Sequence, residues 1–294
     1  MTDNSHERHL SDRRFYHAEE EARFTQKSPT DTPQTRHPAY RLAFQDTDFL
    51  LREELRPVRF QLELLKPEML LEEAGVGSTL VMYGSARIPA PEEAEALVEA
   101  AKERDEFEQK VANNLAAKAK YYDEAYKLAR LVSEKSIVED GQRQFVVCSG
   151  GGPSIMEAAN KGASDAGAES IGLNIILPHE QAPNRYVTPY LALNFHYFAL
   201  RKMHFLLRAK AVAVFPGGFG TFDEFFELLT LVQTGKMKPM PIILFGKDFW
   251  TRVVDFDALA EEGTISRKDL DLITWCETAE EAWAHIAAFY DIKG

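Results

Sequence analysis

From residue 79 onward, apolar and polar positions alternate between short apolar runs and helical stripes. Thr79-Leu80-Val81-Met82-Tyr83, Phe145-Val146-Val147-Cys148 and Ala211-Val212-Ala213-Val214-Phe215 have no polar face, the mark of strands covered on both sides. Similar runs predict strands at 170–176, 192–196 and 241–245. Between them, apolar residues recur every three or four positions. This spacing predicts helices over 154–166, 198–209, 222–234, 248–261 and 279–289. A longer helical region covers 91–134, with Phe107, Val111, Leu115, Tyr122, Leu128 and Val132 on one face. Its length calls for two helices or one bent one. Strand and helix alternate throughout. The expected fold is therefore α/β: a doubly wound, mostly parallel, Rossmann-like sheet with helices on both faces.

Upstream the pattern changes. Residues 46–74 read as helix in two pieces, with Leu50, Leu51, Leu55, Phe60, Leu64 and Leu65 forming a stripe that Pro57 and Pro67 punctuate. Residues 1–40 are polar and carry Pro29, Pro33 and Pro38 without a sustained apolar period. We expect a disordered or loosely docked tail at 1–40, an N-terminal helical extension at 41–77 and the α/β domain at 78–294.

Composition narrows the function classes. A 45% hydrophobic content over 294 residues supports a substantial core. No apolar stretch reaches the roughly 18 residues that span a bilayer, and the charged N-terminus lacks a secretory h-region. No membrane partner is expected. Cys148 and Cys276 are too few for a disulfide framework; Cys148 ends an apolar run as a core thiol, and the expected address is cytoplasmic. The net charge of −12 argues against a nucleic-acid partner, which calls for a basic footprint.

The richest segment is Pro216-Gly217-Gly218-Phe219-Gly220-Thr221-Phe222-Asp223-Glu224. It joins the apolar run at 211–215 to a helical pattern, giving strand, glycine turn, helix. Such a turn gathers free backbone N–H groups and the positive end of a helix dipole, which together attract anions. Gly217, Gly218 and Gly220 let the backbone approach a phosphate. Glu224 then stands in the first helical turn, beside that anion site. Thr221 and Glu224 also match a T-x-x-E capping box, which would leave Glu224 as a mere helix cap, but a cap needs no Gly-Gly-x-Gly before it. No Gly-Lys-Ser/Thr follows, and Asp223 stands where a dinucleotide fingerprint has its third glycine.

Two more predicted strands end in small residues, at Gly84-Ser85 and at Ser149-Gly150-Gly151-Gly152. Ligands of parallel sheets bind at the carboxyl ends of strands, so the three turns predict one pocket for a nucleotide or sugar phosphate. Arg201 and Lys202 lie early in the helix before the 211–215 run. That placement brings Arg201 to the same sheet edge as a multi-donor ligand for phosphate or ribose oxygens.

Arg201-Lys202 followed by the 216–224 string resembles the paired signature of the Lonely Guy (LOG) family, cytokinin riboside 5′-monophosphate phosphoribohydrolases often catalogued as lysine decarboxylases. The resemblance covers roughly residues 78–290. It implies hydrolysis of the N-glycosidic bond of a nucleoside 5′-monophosphate, AMP or a cytokinin nucleotide, to free base and ribose 5-phosphate. On it, Arg201 and Glu224 are catalytic. Gly84, Ser85, Ser149, Gly150, Gly151, Gly152, Lys202, Gly217, Gly218, Gly220 and Thr221 hold substrate, and no metal or cofactor is needed. It further implies a homodimer or larger assembly that builds the pocket at its interface. The family often has Met-His-x before Arg-Lys where this chain has Phe198-Ala199-Leu200, a difference that bears on base choice and assembly. An apolar wall containing Met156 or Phe219 would favour a prenylated base; the loop carboxylate Glu180 is a further candidate for reaching the ligand, although a loop carboxylate more often faces solvent. The rival readings are a nucleotide binder or carrier without catalysis, and a pyridoxal-phosphate decarboxylase. No lysine stands out for a Schiff base.

Overall fold

In chain order the strands are β1 (Thr79–Tyr83), a small hairpin of β2 (Val138–Glu139) and β3 (Gln142–Arg143), then β4 (Val146–Ser149), β5 (Ile171–Ile175), β6 (Ala192–Phe195), β7 (Ala209–Val214), β8 (Ile242–Phe245) and β9 (Thr274–Cys276). All but the hairpin join one parallel sheet in the order β6-β5-β4-β1-β7-β8-β9. The chain winds outward from β1 through β4, β5 and β6. It then returns to β7 on the other side and winds outward again. β1 therefore marks the topological switch point, with β4 and β7 as its neighbours. The doubly wound parallel sheet is as expected.

The computed structural model describes residues 15–26, 30–135, 137–178 and 182–292. The chain divides into two units, Met1–Leu62 and Glu63–Gly294. The first contains α1 (Ala18–Gln26), α2 (Pro33–Arg36) and α3 (Thr47–Leu50). The tail proposed at 1–40 falls partly on residues 1–14 and 27–29, outside the described residues. α4 (Arg56–Glu73) crosses the boundary in sequence. Pro67 does not divide it, contrary to expectation: the helix runs through. A proline there removes the N–H that would bond the Glu63 carbonyl one turn back. The Nε2 of His204 lies 3.2 Å from that carbonyl and takes the missing donor's place. Burial holds the His204 imidazole below its ordinary pKa, so a neutral ring protonated on Nε2 is the form that fits.

The helices of the second unit follow the strands. The 91–134 region is three helices rather than two: α5 (Pro91–Ala101), α6 (Glu106–Ala116) and α7 (Lys120–Lys135). Asp105 ends the first segment by capping α6, accepting from the Glu108 N–H at 2.8 Å. α8 (Ile155–Asp165), α9 (Phe198–Leu207) and α10 (Phe219–Gln233) follow β4, β6 and β7. The 248–261 helix is likewise two, α11 (Lys247–Val253) and α12 (Phe256–Glu261), because Asp255 caps the second. α13 (Ala279–Phe289) closes the chain.

Alternate strand residues feed two cores. Leu80, Met82, Ala211 and Ala213 pack with Leu128 of α7, Ile155 of α8 and Ile286 of α13. Val81, Tyr83, Val212 and Val214 pack with Phe205 of α9, Phe225 of α10 and Trp250 of α11. Each such large side chain, removed from water, contributes about 1.5–3 kcal/mol. This double burial makes the central strands a rigid platform, and their carboxyl ends carry the site. Cys148 and Cys276 are both free and buried.

Candidate active site

The ends of β1, β4 and β7 open onto one cavity of about 960 Å³, lined among others by Gly84, Ser85, Gly150, Arg201, Gly217, Gly218, Gly220, Thr221 and Glu224. Two glycines make its geometry possible. A Cβ on Gly150 would stand 2.6 Å from Nη2 of Arg201 and 2.8 Å from the Met156 sulfur, so only glycine lets the guanidinium lie against this turn. A Cβ on Gly217 would meet the Thr221 hydroxyl at 2.1 Å, so glycine here lets the chain fold tightly onto the first turn of α10. The Ser85 N–H donates to the Pro216 carbonyl at 3.1 Å, joining the β1 and β7 turns.

α10 begins at Phe219 with Gly218 as its N-cap and no side-chain cap. Thr221 and Glu224 therefore form no capping box, and Glu224 stands in the second turn rather than the first. Its carboxylate points instead to α9. Nη1 of Arg201 donates to Oε1 of Glu224 at 3.1 Å. Both side chains are nearly buried, about a tenth exposed (10% and 13%). Arg201 is fixed from two more sides: Nε donates to the Leu173 carbonyl at 2.7 Å, and the guanidinium lies over the Phe205 ring at 4.9 Å.

Burial pushes the Glu224 carboxyl up to about 7, against the opposing pull of Arg201; the nearby Asp223 adds to the rise. This carboxylate is thus poised to exchange a proton near neutrality. Tyr83, buried on the same wall, has its phenol held well above the ordinary value by burial and by the Glu224 charge. It remains a neutral hydroxyl.

α9 holds Arg201 in place because its start is anchored. The Glu63 carboxylate accepts from the His196 N–H at 2.8 Å and the Tyr197 N–H at 3.2 Å. These are amides at the helix's N-terminus, where a negative charge also suits the dipole. Replacing Glu63 by Ala frees both amides, and we expect a loss of about 1–2 kcal/mol in stability. Thermal melting of the Glu63→Ala and Glu63→Gln variants checks this; Gln should recover part of the loss.

Not every residue picked from the sequence reaches the cavity. The Ser149 hydroxyl is buried and committed, donating to Asn160 at 2.7 Å and accepting from the Gly151 N–H at 3.0 Å. Asn160 passes that network on to Ser170 and Asn184. Ser149 thus braces the β4 turn. Gly151 and Gly152 lie in the same turn but not on the cavity wall. Lys202 turns away, paired at 3.1 Å with Asp223 and 3.0 Å with Glu227. Met156 lines the cavity and Phe219 stands at its rim, 97% exposed. Glu180 lies outside the described residues. The sequence reading missed Tyr83, Arg87 and Lys118, all of which line the cavity. For Arg87 a signal was present, since it follows the Gly84-Ser85 turn directly.

Comparison with known proteins agrees with the signature. A family model described as "Possible lysine decarboxylase" matches residues 156–286. Cytokinin riboside 5′-monophosphate phosphoribohydrolase LOG2 of Arabidopsis thaliana is 28% identical over 153 residues, 51% of this chain and 67% of that protein. The same plant's LOG3, of the same description, is 26% identical over 168 residues, 56% of this chain and 73% of that protein. Among solved structures, TM1055, a structural genomics target, is 21% identical, with 72% of this chain and 99% of that one covered at a TM-score of 0.43. The molybdenum cofactor carrier protein of Chlamydomonas reinhardtii is 18% identical, with 58% and 88% covered at a TM-score of 0.39. No helix among the described residues is long and apolar enough to cross a membrane.

Proposed function

We propose that this relative of the Lonely Guy proteins hydrolyses the N-glycosidic bond of a nucleoside 5′-monophosphate, releasing free base and ribose 5-phosphate. One observation carries the reading: a buried carboxylate, Glu224, ion-paired to Arg201 in the cavity formed by the three strand-end turns. The N-terminus of α10 offers its free N–H groups to the 5′-phosphate. With the phosphate held there, the ribose lies between the cradle and Glu224, and remote binding energy orients the reacting carbon.

As the C1′–N bond breaks, its electron pair leaves with the base and positive charge builds on the ribosyl ring. The ionised Glu224 stabilises that charge and accepts a proton from the water that attacks C1′. The proton then passes to the departing base nitrogen. Arg201 keeps a fraction of Glu224 ionised in spite of its burial and fixes its direction. Met156, Ile175, Leu177 and Phe198 give the cavity an apolar wall, which suits a purine and leaves room for an N6 substituent. This reading places the protein in the cytoplasm as a homodimer or larger assembly. Phe198 and Phe219, 54% and 97% exposed at the cavity rim, are apolar groups that a second copy would cover.

A substrate panel tests the reaction. AMP or N6-isopentenyl-AMP should yield free base, detected by chromatography, faster than GMP or CMP. Adenosine should react slower by roughly two orders of magnitude, since it forfeits the phosphate's binding energy. Equal turnover of adenosine and AMP would overturn the assignment. So would pyridoxal-phosphate-dependent release of carbon dioxide from lysine.

A further inference from the structure

The cradle at α10 is only half of an anion site. A helix N-terminus carries about half a positive charge, whereas a phosphomonoester near neutral pH carries nearly two negative ones. Arg201 does not make up the difference, because its charge is already paired with Glu224 at 3.1 Å. Lys202 is neutralised by Asp223 and Glu227 outside the cavity. Two other cations on the cavity wall remain, Arg87 and Lys118.

Neither forms an ion pair with a carboxylate among the described residues. The Arg87 side chain is exposed, and its backbone N–H donates to the Ser85 hydroxyl at 2.9 Å. Ser85 is in turn bonded to Pro216 through its own N–H. Arg87 thus starts two residues from the turn that leads into the cradle. Lys118 lines the same cavity. Its carbonyl accepts from the Tyr121 N–H at 2.9 Å. The Tyr121 hydroxyl and the Pro216 ring crowd one spot, both within 3.1 Å of where a Cβ on Gly246 would stand. Among the described residues, the Lys118 ammonium bonds only the Asn114 carbonyl, at 2.6 Å, and lies over the Phe249 ring at 5.7 Å. Burial and the neighbouring Arg252 both hold its pKa below the ordinary lysine value.

We propose that Arg87 and Lys118 are the side-chain half of the phosphate subsite. They close on the terminal phosphomonoester dianion whose other oxygens face the α10 N–H groups. Two cations and a helix terminus balance the dianion. This subsite selects nucleotides over nucleosides and retains ribose 5-phosphate until release. The proposal rests on the nucleotide reading of the same cavity but not on turnover.

The test is calorimetric titration of the full chain with ribose 5-phosphate, AMP and adenosine, on the wild type and on Arg87→Ala and Lys118→Met. Methionine keeps the apolar stem over Phe249, and thermal melting checks that both variants fold. Each variant should lose about ten- to a hundredfold in affinity for ribose 5-phosphate and AMP, as expected for one charge-assisted contact. Adenosine affinity should not move. Unchanged phosphate affinity in both variants overturns the subsite, as does an equal loss for AMP and adenosine. The two readings fail separately. A chain that hydrolyses nothing but shows these losses keeps the subsite and loses the reaction. A chain that hydrolyses AMP with unaltered KM in both variants keeps the reaction and loses the subsite.

Discussion

Glu224→Gln is expected to lower kcat on the nucleoside monophosphate by roughly 100-fold or more, while substrate affinity changes only a few-fold. The amide is nearly isosteric and still accepts from Arg201, so the cavity keeps its shape. It loses the negative charge that the ribosyl cation needs and the base that takes a proton from water. The wild-type rate should therefore fall as pH drops through about 7, where the buried carboxyl takes up its proton; the variant's residual rate should not follow that limb.

The same substitution should stabilise the fold at high pH. In the folded state the Glu224 carboxyl is raised from 4.5 to about 7, so folding favours the protonated form. Its contribution is fully present below about 4.5 and lost as pH rises through 7, a difference of roughly 3 kcal/mol at most. Above pH 7, Glu224→Gln should melt at a higher temperature than the wild type. Less active yet more stable is the outcome that separates a working carboxylate from a bystander. A variant with near-normal turnover and no change in stability would leave only the binding reading standing.

What the sequence revealed followed from double burial and from glycine. The apolar runs at 79–83 and 211–215 read as strands because both faces are covered, and their glycine turns pointed to a common edge. The order of strands in the sheet then placed β1, β4 and β7 side by side. Helix ends were less legible. Asp105 and Asp255 cap new helices inside stretches whose apolar period continues across them, so periodicity alone merged neighbours. The β2–β3 hairpin was also passed over. Its signal, Asp140-Gly141 with both residues at positive φ, is a two-residue turn flanked by strands too short to show alternation. Within the site, Glu224 was found but its partner's direction was not. T-x-x-E spacing fits a cap only if the helix starts after Thr221. The helix instead starts at Phe219, because Gly218 adopts the extended cap conformation itself. Ser149 had the right position at a strand end, yet whether a hydroxyl faces a ligand or an interior asparagine depends on Asn160, which lies on the following helix.

Arg201→Ala should also lower turnover by roughly 100-fold or more, and through Glu224 rather than beside it. Removing the guanidinium takes away the charge that opposes burial at Glu224, so its carboxyl should titrate above 7 and be protonated at neutral pH. Part of the lost rate should then return on raising the pH to about 9, with the midpoint of the pH profile moved upward. A purely substrate-binding arginine would raise KM and leave that midpoint alone. The Leu173 carbonyl loses its donor as well, and an unpaired buried acceptor costs about 1–3 kcal/mol, so melting must accompany kinetics. The double variant with Glu224→Gln should be no slower than the worse single one, because either change disables the same unit. Multiplicative losses, or an unmoved pH midpoint in Arg201→Ala, would mean that the pair seen at 3.1 Å is a structural ion pair and the work on the ribosyl bond is done elsewhere in the cavity.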